Sequence, residues 1–242
     1  MTPEELTADV GANLAVVGPG FYFKPETLAR GKELGLGGFQ FYVMGRGGVL
    51  GDVHADVITS AFGYFAPEMV AKLWDAARQT IDPRLAGREY VGCCQEQGRL
   101  SLSEVAGLEA FCQAAETVLD NANSGGMALF AGLRAEPLAD DLPARAMQLG
   151  ASLREYRGSA HLIAVMASGL SPQRAHLIKR PDDYGTFGWK DEPAPVSSAE
   201  ADAKAAAETH TDRICAPAFA SLDDAGTAAL QAGAAAISEA LS

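Results

Sequence analysis

The chain has no run of ~18 or more apolar residues, so no membrane-spanning helix is expected. Its first residues, Met1-Thr2-Pro3-Glu4-Glu5-Leu6, are acidic before any apolar stretch begins, unlike the basic start of a secretory signal. Lys and Arg never cluster, and 19 of them face 31 acidic residues for a formal charge of −12. That balance argues against tight non-specific binding to a phosphate backbone, because such affinity comes from cations displacing counterions. The four cysteines, Cys93, Cys94, Cys112 and Cys215, have neither metal-finger nor CxxC spacing, and they read as free buried thiols of a cytoplasmic protein. His54 stands near Asp52 and Asp56, but no second His follows at three or four residues, so no metal site is implied. Neither a Walker loop nor a dinucleotide fingerprint occurs, and no organic cofactor is implied.

What the chain does have is helix punctuation. Thr2-Pro3-Glu4-Glu5 combines an N-cap, a first-turn proline and a capping box. Pro25, Pro67, Pro83 and Pro143 each open a further helix, Ser101-Leu102-Ser103-Glu104 starts one that runs to about Asn121, and Ser197-Ser198-Ala199-Glu200 starts another. Asp52 is placed to cap the helix after it. The Ala-rich final third reads as helix, since Ala is the best helix former. The predicted fold is therefore all-α, with any strand confined to a short hairpin within 183–190. A turn-rich link at 121–126 divides the chain into an aromatic-rich half, 1–122, and a second half, 127–242.

One helix carries polar groups toward the interior. Leu142, Ala146, Leu149, Leu153, Tyr156, Ala160, Ile163, Ala167 and Leu170 repeat at spacings of four and three, which marks a core-facing stripe. Arg154, Arg157 and His161 form a second stripe, roughly 110° round from the first at about 100° per residue. Beyond His161 the helix is apolar on every side, so that end is expected to be enclosed, where charge must be paired, hydrated or bound. Arg46 lies in Met44-Gly45-Arg46-Gly47-Gly48, whose glycines permit close backbone approach to an anion. Tyr22, Tyr42 and Tyr64 belong to a dense aromatic group in the first third and could offer hydroxyls at the edge of an apolar cavity.

Three passages also resemble a known family. They are Phe23-Lys24-Pro25-Glu26-Thr27 with Leu34-Gly35-Leu36-Gly37-Gly38-Phe39 and Tyr42-Val43-Met44-Gly45-Arg46; then Ala61-Phe62-Gly63-Tyr64-Phe65-Ala66-Pro67; then Leu153-Arg154-Glu155-Tyr156-Arg157-Gly158 with His161 and Ala175-His176-Leu177. With Thr211-Asp212-Arg213 near the end, the sequence is similar to a bacterial family of helix-turn-helix proteins. The resemblance implies a winged-helix type of fold with a layout like that of MarR-type regulators, and it implies architecture more than activity. In that family a Gly-Trp segment such as Gly188-Trp189 leads into an acidic helix start, a further helix and a short wing. Here Lys190-Asp191-Glu192-Pro193-Ala194-Pro195-Val196 runs directly to Ser197, and prolines cannot continue a helix. The recognition helix and wing are therefore expected to be shortened or lost, and DNA is not an expected partner.

These residues predict a protein that binds a partly hydrophobic small molecule between its halves. Tyr22, Tyr42 and Tyr64 would line the site, and Arg46, Arg154, Arg157 and His161 would orient an anionic or carbonyl group. A homodimer is compatible with this reading. Two alternatives remain open: an enzyme using His161 as general acid or base and Arg157 to stabilise charge, and a helix-turn-helix transcriptional regulator.

Overall fold

The fold is organised around its longest helix. In the computed structural model, which describes all 242 residues, this is α9, Leu142–Ala167. Asp141 caps it by accepting the Ala144 N–H, Pro143 sits in the first turn, and Gly169 leaves it with a φ of 82°. Eleven other α-helices surround it: α1 Pro3–Leu14, α2 Pro25–Glu33, α3 Gly38–Gly47, α4 Ala55–Phe62, α5 Pro67–Arg78, α6 Pro83–Leu102, α7 Leu108–Asn121, α8 Ala128–Arg134, α10 Pro172–Lys179, α11 Ser198–Phe219 and α12 Asp224–Leu241. The chain is all-α, and no helix is long and apolar enough to cross a membrane.

α9 packs on α6, α7, α8 and α11, and α1 closes the bundle by packing on α11 and α12 from the far end of the chain. One core of 45 buried residues runs from Leu6 to Ile237, with Trp74, Tyr156, Phe41, Phe62, Phe111 and Phe130 among its largest members. The turn at 122–127 lies where the sequence divides, yet burial does not follow that division: the first helix completes the core of the last two.

Several local expectations are corrected. The 183–190 segment forms no hairpin; a 3-10 turn at Pro181–Asp183 continues into bonds from Phe187 N to Asp183 O (3.1 Å) and from Trp189 N to Tyr184 O (2.9 Å). The helix expected from Ser101 begins instead at Leu108, because fully buried Leu102 extends the face of α6 that holds Val91, Cys94 and Gly98. His54, not Asp52, caps α4 by accepting the Asp56 N–H at 3.3 Å, while Asp52 pairs with Arg78 at 2.7 Å. The last turns of α9 are not enclosed: Ile163 is 37% and Met166 66% exposed. Only Ala164 and Val165 are buried there, on the side covered by α10 and α11.

Candidate functional site

A cleft of ≈ 540 Å³ opens between α1, α3, α4, α9, α10 and α11. Small-molecule pockets span ~300–1,000 Å³, so this is ample room for one. Tyr22, Tyr42, Tyr64, Arg46, Arg154, Arg157 and His161 all line it, together with an apolar wall that includes Phe23, Phe39, Phe62, Phe65 and Phe187. Trp74 and Phe41, from the same aromatic-rich third, are core residues instead.

The end nearest α3 is built from arginines and phenols. Arg46, in the last turn of α3, forks onto buried Glu155: Nη2 donates to Oε1 at 2.8 Å and to Oε2 at 3.0 Å, and Nε donates to Oε2 at 3.2 Å. Its Nη1 donates to Tyr42 Oη at 3.1 Å, and its guanidinium lies 4.6 Å from the centre of the Phe62 ring. Burial works against the Arg46 charge, but Glu155 and the neighbouring phenols outweigh it and hold the guanidinium well above its usual pKa. Arg154 Nη1 donates to Tyr22 Oη at 2.9 Å and comes no closer than 4.0 Å to Glu155. The Tyr22 and Tyr42 oxygens thus accept from arginines, and neither hydroxyl proton has an acceptor in the chain. Burial pushes Tyr22 up to about 12 against the pull of Arg154 and Arg46, so it remains a donor at neutral pH.

The end nearest α11 is built differently. Arg157 Nη2 donates to Asp212 Oδ1 at 3.0 Å and to Glu208 Oε2 at 3.3 Å, so its charge is matched within the protein. Lys204 holds the other oxygen of Glu208. Burial opposes ionisation of Glu208, but Lys204, His161 and Arg157 overcome it and bring the carboxyl down to about 2. His161 Nδ1 meets Thr211 Oγ1 at 2.8 Å, and Nε2 lies 3.9 Å from Glu208 Oε1. Burial, with Lys204, Arg157 and Lys179 acting in the same direction, lowers the imidazole to about 4 despite Glu208. As a result, His161 stands as a base rather than an acid at neutral pH, and Arg157 has no uncompensated charge with which to stabilise an intermediate.

The Arg46 glycines do not cradle an anion. A Cβ on Gly48 would sit 2.1 Å from the Pro83 carbonyl oxygen, and one on Gly45 would sit 2.6 Å from the Tyr90 side chain; these glycines let α3 and the 3-10 turn after it close against α6. His54 and Asp56 are exposed, away from the cleft.

The site also contains residues that sequence reasoning passed over: Glu155, Glu208, Lys204, Thr211, Asp212 and Phe187. Lys204, Glu208, Thr211 and Cys215 follow one another on α11 at spacings of four, three and four, a stripe that matches the one on α9. Phe187 is held by its carbonyl, which accepts the Ala66 N–H at 2.8 Å, and by stacking on Phe65 at 4.3 Å between ring centres. Trp189 anchors the same segment by donating to the Tyr64 carbonyl at 3.0 Å.

In a chain of formal charge −12, this cleft collects Arg46, Arg154, Arg157, Lys179, Arg180 and Lys204 against Glu155, Asp183 and Glu208. Low-dielectric walls strengthen the field of such an excess. No curated protein and no solved structure matches the chain. Residues 8–242 match the profile of a helix-turn-helix family. Because that match spans nearly the whole chain, the protein belongs to this helix-turn-helix family.

Proposed function

We propose that the protein binds a partly hydrophobic small molecule carrying a carboxylate or carbonyl group in the cleft between its first and second halves. The observation that carries this reading is the pair of phenols, Tyr22 and Tyr42, whose oxygens are occupied by arginines while their protons remain uncommitted. Two such donors, with Arg154 beside them and aromatic rings around them, suit one oxygen-rich group on a flat apolar body. Binding rather than catalysis is favoured because the charge of Arg157 is already matched by Asp212 and Glu208. Native mass spectrometry of the purified protein tests the reading through a co-purifying mass, and calorimetry with biphenyl-4-carboxylate tests it directly. Tyr22→Phe removes one donor and should weaken binding of this acid about fivefold. No measurable heat with the wild-type protein, or an unchanged Kd in the variant, would count against it.

Family membership favours a second reading, a DNA-binding regulator. Its weak points are the acidic balance, the absence of any strand from which to build a wing, and the lack of helix across 190–197. Fluorescence anisotropy with DNA from upstream of the protein's own gene, at low and moderate salt, decides between them. Salt-dependent binding at micromolar protein would restore the regulator, with the cleft as its effector site.

A further inference from the structure

The two ends of the cleft differ in that a free acceptor is found only at the histidine end, where it stands among cations. At the phenol end everything left over is a donor: the Tyr22 and Tyr42 protons and the guanidinium of Arg154. At the histidine end the pattern follows from one fully buried hydroxyl. Thr211 Oγ1 donates its only proton to the Ala207 carbonyl at 2.7 Å, so the 2.8 Å contact with His161 has to be a donation from Nδ1–H to Oγ1. A neutral imidazole with its proton on Nδ1 carries a lone pair on Nε2, and no donor in the chain meets it. Glu208, 3.9 Å away and ionised, adds a second acceptor on the same side. His161 stands seven residues after Arg154 on α9, a rise of about 10 Å, and both line the cleft with its aromatic wall.

We propose that the ligand of this cleft is an elongated acid or carbonyl compound with a hydroxyl or N–H group at its far end, and that His161 Nε2 is the acceptor which selects for that group. This rests on the cleft binding a small acid, and it adds the second contact that sets the direction and length of the guest. Thr211 is a positioning residue: it fixes which imidazole nitrogen faces the ligand.

The test uses three probes of one shape: 4'-hydroxybiphenyl-4-carboxylate, its 4'-methoxy ether and the unsubstituted biphenyl-4-carboxylate, titrated by calorimetry into the full-length protein. In the wild type the hydroxy acid should bind about tenfold tighter than either analogue, since the ether fills the same space but cannot donate. In His161→Phe that advantage, read as the ratio of the two Kd values, should shrink to within about twofold. Thr211→Val keeps the imidazole but releases its tautomer, and it should reduce the advantage too; it carries the test alone if circular dichroism finds the His161 variant unfolded. If the hydroxy and methoxy acids bind alike, or if the advantage survives in the folded variants, the role given to His161 is overturned while the acid-binding cleft stands. If none of the three acids binds the wild type, the cleft reading itself falls and takes this inference with it.

Discussion

Arg154 and Arg157 are three residues apart on the same stripe of α9, yet their surroundings treat them in opposite ways. Arg154 donates to a phenol and has no carboxylate within salt-bridge geometry closer than 4.0 Å, whereas Arg157 is shared between Asp212 and Glu208. The difference extends to the two ends of the cleft. At the phenol end one carboxylate, Glu155, is buried with Arg46 in a forked pair whose side chains are 7% and 16% exposed. At the histidine end the charges form a wider, wetter network in which Glu208 is 43% exposed and shared among Arg157, Lys204 and His161. A compact pair gives rigidity at the price of desolvation, and a shared network tolerates the loss of one member. The phenol end is thus the fixed end of the site, and the histidine end is the adjustable one.

The largest effect should come from breaking the fixed end. Glu155→Leu strands the Arg46 guanidinium in the interior, and a loss of about 3–5 kcal/mol in urea unfolding is expected. Arg46→Met combined with Glu155→Leu removes both charges and should recover most of that loss. Arg157→Leu, by contrast, leaves Glu208 with Lys204 and takes the guanidinium from Asp212, whose side chain is 18% exposed, and should cost less, about 2 kcal/mol. Equal losses for Glu155→Leu and Arg157→Leu would break the contrast between the two ends.

The adjustable end should announce itself through pH. Burial lowers His161 from 6.5 to about 4 in the folded protein. Above pH 6.5 both folded and unfolded chains carry it neutral, and stability does not depend on it. As pH falls from 6.5 to 4 only the unfolded chain takes up the proton, so stability drops, by on the order of 2–3 kcal/mol in total. Glu208, lowered from 4.5 to about 2, extends the loss to lower pH as its pairings with Lys204 and Arg157 are protonated away. Urea-unfolding free energies of the wild type and His161→Phe, compared from pH 7 to 4, isolate the histidine from His176, which burial also lowers. The two curves should converge as the pH falls; parallel curves would mean that His161 is not held neutral by its surroundings.

How much of this could be read from the sequence depends on how local the cause is. The capping box at Thr2 and the helix starts at Pro143 and Ser197 formed where expected, because a helix start needs only its own first few residues. The stripe of Arg154, Arg157 and His161 was legible for the same reason: helical spacing places side chains on a face without any knowledge of the neighbours. What answered those side chains was not legible. Glu155 meets Arg46 across 109 residues and Tyr22 meets Arg154 across 132, and nothing local distinguishes Glu208 from other acids on an Ala-rich helix. Hydrophobicity misled in one place: the end of α9 is apolar all round, but its neighbours cover it only in part, and Met166 stays in water. A run of apolar residues states what can be buried, and packing decides what is.

The smallest expected effect gives the sharpest test, because it should change sign. Gly11 lies inside α1, where a Cβ would sit 2.4 Å from Arg157 Cδ and 2.6 Å from its Nε. Ala in a helix interior ordinarily gains roughly 1 kcal/mol over Gly. Here the Arg157 side chain cannot swing aside without leaving Asp212 and Glu208, and its Nε is already buried without a partner. Overpacking of this kind costs about 1–3 kcal/mol, so Gly11→Ala should be destabilising by about 1 kcal/mol net. Once Arg157→Ala has cleared the space, the same change should instead stabilise by about 0.5–1 kcal/mol. Thermal or urea unfolding of the two single variants and the double variant completes the cycle. Additive values would show that α1 does not confine Arg157, and the histidine end would then owe its arrangement to α11 alone.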